Sequence, residues 1–143
     1  MKTGLLTKNR KVFIWCLFDW ANSPYPTVVL TFVFSAYFTK LVAEDEISGT
    51  FLWSQTIAFS GLFMACVAPI LGAISDETGK KKIWILVFSI LAILATLSLW
   101  FVLPDKASIP LALIAIVISL IAFEFCTIFY NATLIQVANS SSI

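Results

Sequence analysis

No histidine occurs in this chain, and charged side chains make up only 12% of its 143 residues. The scarcity of charge excludes an ordinary soluble domain, in which about a quarter of the residues are charged. Without histidine, and with its three cysteines scattered as Cys16, Cys66 and Cys126, the chain offers no zinc-ligand spacing. Those cysteines lie one apiece in separate apolar runs, so they read as small hydrophobes and not as a disulfide framework. Net charge is only +1 and no basic patch carries interleaved aromatics, so nucleic acid is not an expected partner. No nucleophile–base pair stands out, and residues 72–82 lack the Gly-Lys-Ser/Thr ending of a phosphate-cradling loop. Neither an enzyme nor a bound metal or cofactor is expected.

What remains is apolar. Sixty per cent of the residues are hydrophobic and the mean hydropathy is +0.98. Four apolar segments stand out, at about 12–38, 51–74, 83–103 and 109–137. Each is long enough to cross a hydrocarbon core about 30 Å thick as a helix rising 1.5 Å per residue. The runs lack the alternation of barrel strands, so an all-α integral membrane domain is expected, with the lipid bilayer as its surroundings. The first run carries Asp19 and is too long for a cleaved signal peptide, which makes it a retained span.

Lys2, Lys8, Arg10 and Lys11 precede the first span, and Lys80, Lys81 and Lys82 lie between the second and third. The opposite side has only Lys40 and Lys106, and this asymmetry places both termini in the cytoplasm. The two outer turns carry Glu44-Asp45-Glu46 and Pro104-Asp105-Lys106, which read as solvated loop charge.

Polar residues interrupt two spans. Asp19, Asn22, Ser23 and Pro26 form one helical stripe, and Pro24 and Pro26 remove backbone donors, which favours a kink facing protein or water. A carboxylate inside a span costs about 3 kcal/mol on insertion scales and marks a functional site by default. Asp19 could instead reach headgroup water or pair with Arg10 or Lys11. Glu124 lies near the middle of the fourth span, with Thr127 and Asn131 on its face. It calls for a partner or a water-filled cavity, and serves either as a proton or substrate site or as one end of an interhelical hydrogen bond. The second span carries Gly61, Ala65, Ala68 and Gly72 at helical spacing, a stripe that lets another helix approach closely.

Residues Gly72 to Lys82 read as a short charged loop, and Gly72, Asp76, Gly79, Lys80 and Lys81 resemble the loop between the second and third spans of the major facilitator superfamily. Glu77 departs from that pattern by placing an acid where the family has a base. Phe18 to Tyr25 is similar to the opening motif of one branch, the relatives of the fungal vacuolar amino-acid effluxer, and Phe129-Tyr130-Asn131-Ala132 resembles a second motif of it. The resemblance implies a twelve-helix fold of two halves, of which this chain would be the first third, an N-terminal fragment. It further implies a small-molecule solute, with amino acids among the solute classes, moved with protons by alternating access; a bacterial inner (plasma) membrane location is expected. Asp19, Asn22, Glu124 and Asn131 would face the cavity, the 72–82 stretch would gate it, and the missing helices would be partners. Two other readings stand beside this one: a four-span membrane subunit or scaffold without transport of its own, and a small four-span carrier working as a dimer.

Overall fold

Continuous apolar sequence between polar turns can satisfy its backbone in lipid only by coiling on itself, and the chain does so. The computed structural model describes residues 13, 16–78 and 81–139, with the side chains of 75–78 and 134–139 excepted. Among the described residues, four helices are long and apolar enough to span a membrane and no strand occurs. We label them α1 (Cys16–Val42), α2 (Glu46–Thr78), α3 (Lys81–Ser98) and α4 (Ile109–Asn139). The chain divides into two compact units, Met1–Phe38 and Thr39–Ile143.

In the first unit, α1 departs from regular α geometry where its prolines stand. Pro24 and Pro26 cannot donate to the carbonyls four residues before them. Directly after Pro24 the helix opens into wider π turns over Tyr25–Phe32, with the Val33 N–H bonded to the Val28 carbonyl five residues back. The hydrogen-bond register of α1 thus changes where its prolines stand.

In the second unit, α4 packs most extensively on α3 and also on α2. Of its membrane-length window 44% is buried, against 11% or less for each of the other helices. Ala112, Ala115, Ser119, Ala122 and Cys126, spaced three and four apart, are all buried. Small side chains at this spacing allow helices to approach closely, which is what stabilises packing where lipid supplies no hydrophobic drive. At the α3–α4 seam, Trp84, Phe88, Phe125 and Phe129 form an aromatic cluster with ring centroids 5.3–6.0 Å apart. Cys126 Sγ lies 3.1 Å from Ser89 Oγ beside it. Buried Thr56 and Ser60 on α2 donate to their own helix at the Leu52 and Thr56 carbonyls, 2.7 and 2.8 Å away, so neither hydroxyl proton is stranded.

The close-approach stripe expected on α2 is therefore found on α4. A Cβ at Gly61 or Gly72 would meet nothing within 4 Å, and Ala65 is exposed. Small residues permit a neighbour without supplying one, and α4 is the helix that packs on two others. The tightest glycine is Gly49, in the first turns of α2. A Cβ there would come within 2.7 Å of Ala43 Cβ and 3.0 Å of Thr39 Cα.

The 72–82 stretch is a second correction. Its first seven residues are the end of α2, which runs through Pro69 and on to Thr78, and α3 starts at Lys81. Gly72 sits inside a helix and not in a turn. Ala73, Ile74 and Glu77 tolerate helix, so at 33 residues α2 exceeds the length a span needs.

Candidate functional site on the membrane helices

On α1, Asp19 is exposed and Asn22, one turn later, is half-buried. Ser23 Oγ donates to the Asp19 carbonyl at 3.1 Å, and three further hydroxyls follow at four-residue intervals. Thr27 Oγ1 donates to the Ser23 carbonyl at 3.2 Å, Thr31 Oγ1 to the Pro26 carbonyl at 2.9 Å, and Ser35 Oγ to the Thr31 carbonyl at 2.7 Å. Asp19 and Ser23 of the stripe read from Asp19 to Pro26 thus begin a longer row. Its signal was present in the sequence as hydroxyls continuing at i+4 from Ser23.

On α4, Glu124 and Thr127 are half-buried and Asn131 is exposed, all within the helix that carries the most burial. Thr127 Oγ1 donates to the Phe123 carbonyl at 3.0 Å. Among the described residues no hydrogen bond or ion pair reaches the Glu124 carboxylate. Its neighbours Phe125 and Cys126 turn into the α3 seam, Phe125 against Phe88 at 5.3 Å between centroids and Cys126 against Ser89. Asp19 and Asn22 belong to one compact unit, Glu124 and Asn131 to the other.

The expected gating residues divide three ways. Gly72 is half-buried inside α2, Asp76 has a helical backbone, and Gly79 and Lys80 lie outside the described residues. The Asp76 side chain is likewise outside them. Lys81 is 8% exposed and partnered, whereas Lys82 is exposed.

The turns between α1 and α2 and between α3 and α4 hold contacts that the reading as solvated charge missed. Asp45 caps α2, its Oδ1 accepting from the Ile47 and Ser48 N–H groups at 2.9 and 2.8 Å and its Oδ2 from the Ser48 hydroxyl at 2.8 Å. The Ser48 amide and hydroxyl, helped by the Ile47 amide, hold this carboxyl below the usual carboxylate range. Asp-x-x-Ser ahead of an apolar run was the available signal. Glu44 Oε1 and Lys106 Nζ lie 2.6 Å apart and tie these two turns together.

Comparison with known proteins adds what geometry alone does not. The family model described as vacuole effluxer Atg22 like matches residues 49–142, which begins within α2 and leaves out α1. An uncharacterized MFS-type transporter, YxiO of Bacillus subtilis (strain 168), is 36% identical over 126 residues, covering 86% of this chain and 29% of that protein. No solved structure matches. The chain thus spans under a third of the relative's length, and both matches are described as transport proteins. With four membrane-length helices and these two matches, the chain belongs to the Atg22-like vacuole effluxer family of major facilitator transporters.

Proposed function

We propose that these residues form the first four transmembrane helices of a secondary carrier that moves a small solute by alternating access, coupled to protons. The effluxer family makes amino acids the first solute class to test. The remaining helices of the carrier come from polypeptide beyond these residues, and the carrier sits in a bacterial plasma membrane. The excess of basic residues before α1 and between α2 and α3 supports cytoplasmic termini.

The observation that carries the reading is Glu124. A carboxylate half-buried on the most buried span, with no partner among the described residues, is an expensive group without a structural return. Gaining and losing a proton there would couple charge to the carrier's turnover. Asp19, Asn22 and Asn131 would line the solute path, and Gly72, Asp76, Gly79, Lys80 and Lys81 the cytoplasmic gate. The test is labelled amino-acid transport in vesicles holding the full native polypeptide, across a pH series. Glu124→Gln, which keeps shape and removes the titrating proton, abolishes the pH dependence. Undiminished pH-dependent transport by that variant overturns the assignment.

A further inference from the structure

Two stretches of α1 are wound in π turns, Tyr25–Phe32 and Phe38–Val42, with α turns between them at Val33–Tyr37. Such turns are rare and occur mostly as single bulges. The two stretches are held differently. Phe38 and Val42 are 0% and 1% exposed, and the Thr39 backbone comes within 3.0 Å of where a Cβ on Gly49 would stand, so packing fixes the second stretch. The first is eight residues long and contains no buried residue. Among the described residues, its register is set by its own chain.

That chain weakens one register and tolerates both. Pro24 and Pro26 cannot supply the N–H groups that α geometry would aim at the Trp20 and Asn22 carbonyls, so the α register loses two bonds where the stretch begins. The hydroxyls follow whichever turn they stand in. Ser35 Oγ, in the α turns beyond the stretch, donates four residues back to the Thr31 carbonyl at 2.7 Å. Thr31 Oγ1, inside the π turns, donates five residues back to the Pro26 carbonyl at 2.9 Å. In α turns serine and threonine reach three or four residues back. A hydroxyl that changes carbonyl with the turn stays satisfied in either register, so lipid does not oppose the exchange.

We propose that residues 25–32 are a register switch, in which π and α turns of similar free energy interconvert. Each N–H leaves the carbonyl five residues back for the one four residues back, as the Val33 N–H would in passing from Val28 to Val29. Pro24 already has αR dihedrals and α turns follow from Val33, so the junctions can migrate one bond at a time. Because a π turn holds more residues than an α turn, the change both lengthens the stretch and twists it. The segment carrying Asp19 and Asn22 then turns about the axis of α1 relative to Val33–Tyr37. This device goes beyond the carrier reading and stands whether or not that segment meets a solute.

The test is the distance between two spin labels on α1, read by pulsed electron resonance on the full native polypeptide in lipid nanodiscs. Labels go on Leu17→Cys and Ala36→Cys, both exposed and on either side of the stretch, with Cys16, Cys66 and any accessible cysteine beyond these residues replaced by alanine. Unbroken α geometry would separate these positions by about 28 Å, at 1.5 Å per residue. Two distances are expected, the longer one from the α register. Labels on Ile83→Cys and Leu97→Cys, exposed positions of the regular helix α3, should give one distance. Pro24→Ala and Pro26→Ala each restore an N–H to the α register and should raise the longer population about fivefold, the scale of one net backbone hydrogen bond. A single distance in the parent chain overturns the proposal, whatever the variants do. So does a pair of distances whose ratio both alanine variants leave unchanged, and so does the same doubling on α3. No readout depends on transport, so failure of the carrier reading and failure of the switch are separately visible.

Discussion

Replacing Gly49 with alanine sets two effects of known sign against each other. Alanine in a helix is favoured over glycine by about 1 kcal/mol. Against this, the new Cβ would sit 2.7 Å from Ala43 Cβ, 3.0 Å from Thr39 Cα and 3.1 Å from the Thr39 carbonyl oxygen. None of these atoms is the free end of a flexible side chain, so relief requires the ends of α1 and α2 to move apart. Overpacking of this kind costs about 1–3 kcal/mol, occasionally more, and backbone contacts put Gly49 toward the upper end. The net expectation is destabilisation by about 1–2 kcal/mol. Gly61 and Gly72 supply the internal comparison, because a Cβ at either meets nothing within 4 Å. Gly61→Ala and Gly72→Ala should keep the helical gain of up to about 1 kcal/mol. The assay is reversible unfolding of the 143-residue chain in detergent micelles, followed by helical circular dichroism. The reasoning fails if Gly49→Ala matches the parent chain, or if Gly61→Ala is as damaging.

Three other outcomes follow from the structure. The Asp45 carboxyl is held below its ordinary range in the folded chain, so the stability it adds is present above the unfolded carboxylate value of about 3.9 and is lost as pH falls through the lowered folded value; amide exchange at Ile47 and Ser48 should rise there and be fast at all pH in Asp45→Ala. Phe129 is 1% exposed between Trp84 and Phe88, and Phe→Ala in a water-soluble core costs about 3–5 kcal/mol. Lipid is as apolar as the ring, so only lost packing remains, and about 2 kcal/mol in micelle unfolding is expected for Phe129→Ala. The Glu44–Lys106 pair is mostly exposed, and a double-mutant cycle should give a coupling of about 0.2–1 kcal/mol that shrinks with salt.

The four spans were legible because lipid leaves a continuous apolar run one way to satisfy its backbone. Their ends were less so, since hydropathy marks where lipid begins and not where hydrogen bonding stops. Glu46 to Thr50 are polar or small apart from Ile47, yet α2 starts at Glu46 because Asp45 caps it. The same limit hid the helical nature of 72–78, where charge was read as a turn although nothing in Ala73-Ile74-Ser75-Asp76-Glu77 breaks a helix. Small-residue spacing was legible as a capacity for close packing, while the helix that uses it depends on neighbours that a single helix does not encode. Ala112, Ala115, Ser119 and Ala122 share with Gly61, Ala65, Ala68 and Gly72 a spacing of alternating three- and four-residue steps, and burial separates them.

The polar groups of the two marked helices differ in kind, and that difference bears on what each can do. α1, interrupted by prolines, spends its hydroxyl protons on its own carbonyls, so its polar face is maintained without another helix. A face of that type tolerates a passing solute, because no internal bond has to break for the oxygens to be met. Glu124 has no such local satisfaction: α4 is otherwise the most buried and apolar of the four, and its carboxylate gains nothing from its own helix. A group like that favours whichever state supplies water, a proton or a cation, and disfavours the state that does not. Continuous satisfied acceptors suit contact along a path, whereas one unsatisfied acid suits coupling to a change of state. On this reasoning, Glu124→Gln should remove the pH dependence of transport by the full native polypeptide, whereas Thr31→Val, which deletes a hydroxyl already satisfied within α1, should leave it in place.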